Sequence, residues 1–342
     1  MNRSPRIAIL VVIEADTELG FYEHAMSSVA CYVRIWKYEF RIVSSNDYQS
    51  ECPHKDKFFR RHCIVARILG SYDYLLFLDG DIGVVNPKRR IEDFLDADAE
   101  IIFYDRFYNW EVMAGAYLAK NSNWTKRFLD GFANYEFRLP KSFHGTDNGA
   151  LHAYLAEVIL GSNHDGLDSC LRIYGQSRDF DDLFMYEACI RELLGNSTHF
   201  GPIKILRKGT AWARDNWITN SLWNPERDFM MHNWKLPQMM TYKHIPLPLE
   251  ALSKSEWYNP LAGHIELHRC TPGNISWSYD KNMIALREAI DRRLEEFATI
   301  VEGKRAIMLR RLSEHFSEKN NNWREYPTLI LTFLFLASIG RL

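Results

Sequence analysis

Two hydrophobic rhythms alternate over the first hundred residues. Short apolar runs, "RIAILVVIE" at 6–14, "FRIV" at 40–43 and "YLLFLDGD" at 74–81, are separated by longer stretches, 21–36 and 57–69, where apolar residues return every three or four positions. The runs read as strands buried on both faces, and the longer stretches as amphipathic helices. A β-α-β-α-β order predicts an α/β protein with a mainly parallel sheet covered by helices.

Further along, the spacing predicts strands at 101–104 and 114–119 and a helix starting at Ser122 or Asn123, both good N-caps. The segment "GTDNGALHAYLAE" (145–157) reads as a helix capped by Thr146 or Asp147, with Ala150, Leu151, Tyr154 and Leu155 on its apolar face. "DFMMHNWK" (228–235) reads as a short strand running into His232 and Lys235. Residues 281–317 form an expected charged amphipathic helix, with Gly303 as its break. The expected division is a catalytic-size domain over 1–245 and a C-terminal helical extension over 246–342.

Charge narrows the function classes. Forty-two basic residues against 44 acidic ones give a net charge of −2, so no global field points to nucleic acid, and any charge-based chemistry is local. Six cysteines without a C-x-x-C pair argue against a zinc ribbon and permit disulfides. With the sequons at Asn123, Asn196 and Asn274 they favour the secretory pathway, in the ER or Golgi lumen. The apolar N-terminal run leads straight into acidic residues and reads as a first strand rather than a signal segment. The apolar tail "LILTFLFLASIG" (329–340) is short of a bilayer span, and a buried helix or an interfacial, membrane-associated anchor both fit it.

Asp79 and Asp81 carry the sharpest chemistry. They end a strand that reads as fully buried, at the edge of a parallel sheet where ligands collect, and alternation along the chain puts both on one side with Gly80 between them. Two carboxylates that close repel unless a cation compensates, and a hard divalent ion such as Mn²⁺ or Mg²⁺ bridging phosphate oxygens suits them. His232, with Lys235 three positions on, is then a third metal ligand beside a phosphate-binding cation. A haloacid-dehalogenase-type phosphatase, with Asp79 as nucleophile and Asp81 as general acid, is the runner-up. It fits less well, because more than 70 residues precede the acids and Gly83 stands where that class wants Thr or Val.

In order along the chain, "FLDGD", "MAGAYLAKNSNWTKRFLDGFA", "GTDNGAL" and "DFMMHNWK" resemble the motifs of GT-A fold glycosyltransferases. The nearest are the retaining galactosyl-, mannosyl- and xylosyltransferases of the galactomannan galactosyltransferase and xyloglucan xylosyltransferase type. The wording is closer still to a nematode-expanded family placed with nucleotide-sugar transferases. The resemblance covers about residues 6–240. It implies a Rossmann-like, GT-A sheet, mixed but mainly parallel, and transfer of a hexose or pentose from a nucleotide-diphosphate sugar, a UDP-sugar before a GDP-sugar, to a glycan or glycoconjugate with retention.

Carried over by position, the resemblance has Asp79, Asp81 and His232 hold the ion, Asp79 touch the donor ribose, and Lys235 neutralise the departing phosphate. Gly115 would leave room for the sugar ring, and Asp147 and Asn148 would line the donor sugar, Asp147 as a positioning and electrostatic group. Asn148 in place of Gln, and Gly145-Thr146 in place of an acidic residue, depart from the pattern. A non-catalytic, sugar-binding descendant would keep the same fold. "RDNWITNSLWNP" (214–225) is the best candidate for the wall of an acceptor groove, and a structural ion pair fits Arg214 and Asp215 equally well.

Overall fold

The structure, a computed structural model, describes residues 4–238 and 258–319. In chain order, β1 (Ile7–Ile13), α1 (Glu23–Trp36) and β2 (Glu39–Ser44) are followed by α2 (Lys57–Ile68), β3 (Tyr74–Leu78), β4 (Gly83–Val84), β5 (Ile101–Tyr104) and β6 (Ala116–Lys120). Then come α3 (Asn123–Ala133), α4 (Thr146–Leu160), α5 (Asp165–Tyr174) and α6 (Phe180–Leu194). Strands β7 (His199–Phe200), β8 (Ile203–Leu206), β9 (Ala213–Asp215) and β10 (Met230–His232) precede the long α7 (Arg287–Lys319).

Seven strands form one sheet in the order β2-β1-β3-β6-β5-β8-β7, and β4-β10-β9 form a small second sheet. Strand β1 pairs parallel with β2 and β3, and β5 with β8, while β6 lies antiparallel between β3 and β5 and β7 is antiparallel at the edge. Strands β2, β1, β3, β5 and β8 therefore run one way. This is the Rossmann-like α/β class expected, a mixed but mainly parallel sheet flanked by helices with a helical C-terminal extension.

The unbroken apolar character of β3 has a direct cause. Leu75 and Phe77 pack into the cluster that includes Phe59 and Cys63 of α2 and Phe128 of α3, whereas Leu76 and Leu78 pack into the cluster with Met26 and Val29 of α1. Consecutive side chains point to opposite faces, and both faces are covered by helices, so no position is left for a polar residue.

Helix starts follow the local chemistry in part. Asp56 caps α2 by accepting from the Phe58 amide, and Ser122 caps α3 by accepting from Thr125, as its position anticipates. The cap of α4 is neither Thr146 nor Asp147. Gly145 occupies it in the left-handed region (φ 61°) with no side-chain cap, and Thr146 follows, also left-handed (φ 54°), which is rare for a β-branched residue. The Asp147 carboxylate is thereby freed for other partners.

Helix α7 begins at Arg287 rather than 281, after a 3-10 turn at Lys281–Met283, and runs through Gly303 without a break. A mid-helix glycine costs only about 1 kcal/mol. The stripe Ile290, Leu294, Phe297 and Val301, packed with Phe107, Phe184 and Trp217, offsets it. The apolar tail at 329–340 lies outside the described residues, and among the described residues no helix is long and apolar enough to cross a membrane. All six cysteines are paired, as Cys31–Cys270, Cys52–Cys63 and Cys170–Cys189.

Candidate active site

Strand β3 ends at Leu78, and the chain turns at once, the Ile82 amide donating to the Asp79 carbonyl at 3.1 Å. The turn leaves Asp79 and Asp81 at the carboxyl edge of the sheet. Strand β10 brings His232 against them, because it pairs antiparallel with β4 just beyond the turn. One ligand atom from each of Asp79, Asp81 and His232 lies within 4.8 Å of the others. Two carboxylates and one imidazole suit Mn²⁺ or Mg²⁺, so the residues present fit the ion that the pattern implies.

The three line a cavity of about 600 Å³ along the carboxyl edge, together with Lys235 and Asn148. The Lys235 amine is 3.2 Å from Asp81 Oδ2, and His232 Nε2 is 3.5 Å from Asp81 Oδ1. The two carboxylates separate electrostatically. Burial drives the Asp79 carboxyl upward, reinforced by Asp81 and opposed by Arg61. Burial also works on Asp81, but His232 and Lys235 outweigh it and hold that carboxyl low. Such splitting is what two neighbouring acids show when the cationic groups crowd one of them.

The buried Oδ1 atoms of Asn148 and Asn233 and the Nε of Arg61, all on cavity-lining residues, have no hydrogen-bond partner among the described residues. Asn233 is also held in the left-handed region (φ 72°). Unsatisfied groups and uncommon backbone angles concentrate where a ligand completes the hydrogen bonding.

Two residues named from the sequence sit behind the cavity wall. A Cβ on Gly115 would meet Asp79 Oδ2 at 2.0 Å, and the Asp79 amide donates to the Gly115 carbonyl at 2.8 Å. The space that a side chain would fill at Gly115 is therefore taken by Asp79 and not by open cavity. Asp147 is 1% exposed and stands behind Arg61, which bridges Asp79 through Nη1 and Asp147 through Nη2, the latter at 2.6 Å. His62 Nε2 also contacts Asp147 at 3.1 Å, and His62 Nδ1 the Tyr117 hydroxyl at 3.1 Å. Although burial would raise it, Arg61 and His62 hold the Asp147 carboxyl down at about 2.

Arg214 and Asp215 do not pair with each other through their side chains. They are consecutive on β9 and point to opposite faces. Arg214 forms a two-pronged pair with Asp228, at 2.7 and 3.0 Å, while Asp215 takes Arg106 Nη2 at 2.7 Å and His232 Nδ1 at 3.1 Å. Arg106 also reaches Glu111 at 3.3 Å on the cavity wall. Trp217, from the expected groove wall, does line the cavity. Gly83 lies beneath the Trp234 ring, where a Cβ would sit 2.1 Å from the nearest ring carbon, so no larger residue fits there.

Arg61, His62, Arg106 and Glu111 are the site residues that sequence reasoning missed, and Asp215 was named there without its link to His232. Arg61 carries no local signal, since an arginine in an amphipathic stretch ordinarily faces solvent.

No curated protein matches the chain. Among solved structures, a glycosyltransferase involved in glycosylation of the major capsid of PBCV-1 is 15% identical over 67% of this chain and 93% of its own, with a TM-score of 0.38. A protein from STIV is 15% identical over 36% of this chain and 67% of its own, with a TM-score of 0.24. Both likenesses are too distant to add to what the sheet order and the side chains show. A family model spans well over half of the sequence, matching residues 29–248, and the chain belongs to that family, described as "Protein of unknown function, DUF273".

Proposed function

We propose that this chain is a metal-dependent glycosyltransferase, moving a hexose or pentose from a nucleotide-diphosphate sugar to a glycan or glycoconjugate acceptor with retention. One observation carries the reading: Asp79, Asp81 and His232 converge beside Lys235 in a cavity at the carboxyl edge of the sheet. The strand order reverses at β1 and β3, the position where open α/β sheets receive nucleotides. Mn²⁺ or Mg²⁺ held there would supply Lewis-acid compensation for charge on a departing diphosphate.

The chain's own groups divide the remaining work. Lys235, whose charge Asp81 reinforces, is placed to accept the diphosphate's negative charge. Asn148 offers its free Oδ1 to a donor-sugar hydroxyl. Asp147, held ionised at about 2 by Arg61 and His62, is too weak a base to take a proton near neutrality, and it acts by fixing Arg61 and the local field. In the retaining enzymes that the chain resembles, a phosphate oxygen of the departing donor receives the acceptor's proton, and the proposal carries that role over. A UDP-sugar is placed before a GDP-sugar on resemblance alone. The three disulfides, and the exposed Asn123 and Asn196 of two sequons, support a lumenal setting in the ER or Golgi. The phosphatase reading has weaker support, since the Asp79 carboxylate is engaged by Arg61 rather than poised for attack.

Calorimetric titration of UDP and GDP, with and without Mn²⁺, tests the proposal. Manganese-dependent binding of one nucleotide is expected in the wild type and its loss in Asp81→Ala. If a folded chain binds neither, the glycosyltransferase reading falls. Binding without transfer to any acceptor would identify the non-catalytic descendant.

A further inference from the structure

The cavity has a second end, remote from the nucleotide position. Strands β1, β3 and β5 run the same way, so their carboxyl ends share one edge, with the end of β3 between the other two. Residues just after β1, such as Glu14 and Thr17, line one end of the cavity, and residues after β5, such as Tyr108 and Glu111, line the other. The Asp79–Asp81–His232 cluster stands between them. If the β1 end takes the nucleotide, as the function proposed above requires, the β5 end is left for the second substrate.

That end is built of aromatic rings rising to an exposed rim. Trp217 packs edge-on against Tyr108 at 5.8 Å, Tyr108 against Phe184 at 6.5 Å, and Phe184 meets Phe180 at 5.9 Å. Phe143 closes the series, its ring edge-on to Phe180 at 4.9 Å. Trp217 and Phe184 are buried at 2%, whereas Phe180 is 44% exposed and lines the cavity. Glu111, Arg106 and Asn148 line the same cavity, with the Arg106 guanidinium 5.1 Å over the Tyr108 ring. An apolar plane opposed by charged and amide groups suits a sugar ring, which has a C–H face and a hydroxyl rim. A lipid chain would lay apolar surface against the charged Arg106–Glu111 pair and offer its remaining hydrogen-bonding capacity nothing.

We propose that Phe180, braced by Phe143 and Phe184, is the stacking platform of an acceptor subsite, and that the acceptor presents a pyranose ring to it. The proposal rests on the glycosyltransferase reading and adds the acceptor's chemical class and the residue that selects it.

Saturation-transfer NMR tests it, with methyl glycosides of galactose, glucose, mannose and xylose and a sugar-free Ser/Thr peptide. Each is added to the full chain with Mn²⁺ and whichever of UDP and GDP binds. At least one glycoside should receive saturation in the wild type. Its apparent affinity should fall about five- to tenfold in Phe180→Ala and persist in Phe180→Trp, with nucleotide affinity unchanged in both. Equal glycoside binding by Phe180→Ala, no glycoside binding by the wild type, or saturation of the peptide alone would overturn it. Since Phe180 is exposed, its truncation leaves the core intact, and a thermal melt verifies this. Failure of the wild type to bind nucleotide is a separate result that sinks the glycosyltransferase reading instead.

Discussion

Asp215 stands behind His232, its Oδ1 3.1 Å from His232 Nδ1 and 2.7 Å from Arg106 Nη2. The imidazole thus has Nδ1 engaged by a carboxylate, leaving Nε2 turned toward Asp81. A carboxylate behind a ligating histidine fixes its tautomer and orientation, and its loss typically costs 10–100-fold in metal affinity. Asp215→Asn should therefore weaken Mn²⁺ binding by about that factor in calorimetry. Unchanged affinity would show that His232 is oriented by something else.

Gly115→Ala tests the close packing behind the acid pair. The added methyl would overlap Asp79 Oδ2, so the carboxylate must move. Overpacking of this kind costs typically 1–3 kcal/mol. The expected outcome is a folded chain, by circular dichroism, with Mn²⁺ affinity reduced at least tenfold.

Acid should destabilise the fold well above the range of ordinary carboxylates. Burial lowers His62 to about 4 and His152 to about 3 from 6.5. His152 is wholly enclosed, its Nδ1 on the Asn148 carbonyl at 2.8 Å and its Nε2 accepting the Val112 amide at 3.1 Å. A histidine kept neutral in the fold but free to charge when unfolded gives stability that is complete above 6.5 and is lost as pH falls toward its folded value. At pH 4.5 the loss is about 2–3 kcal/mol for His152 alone. Urea midpoints between pH 7 and 4.5 should fall accordingly, and His152→Gln should flatten the slope by about one proton.

Thr146→Gly should stabilise the chain. A β-branched residue in the left-handed region costs about 1–2 kcal/mol that glycine avoids, part of which returns as unfolded-state entropy. A rise of a few degrees in Tm is expected, and a fall would mean that the bond from Thr146 Oγ1 to the Gly145 carbonyl, at 2.8 Å, outweighs the strain.

The sequence made the frame legible because burial on two faces leaves an unmistakable apolar run: β1, β3 and the helices between them lie within a few residues of their expected limits. The acid pair was legible for the same reason, as the one polar interruption at the end of such a run. Arg61 was not, because its partners are 18 and 86 residues away and only the packing of α2 beneath β3 brings them together. Asp215 was misread because adjacency in sequence suggested a pairing that strand geometry forbids. Gly303 was misread because a local propensity was weighed without the tertiary stripe that overrides it.

The Cys31–Cys270 disulfide, spanning 239 positions, joins α1 to the segment that packs beneath it. Topologically, it turns most of the protein into a covalent ring. A protease that nicks the backbone once anywhere inside that ring releases no fragment: the two pieces travel together, heavier only by the water of hydrolysis, until a reductant is added. Comparing nicked samples on reducing and non-reducing gels would thus reveal damage that the oxidised protein's unchanged size conceals.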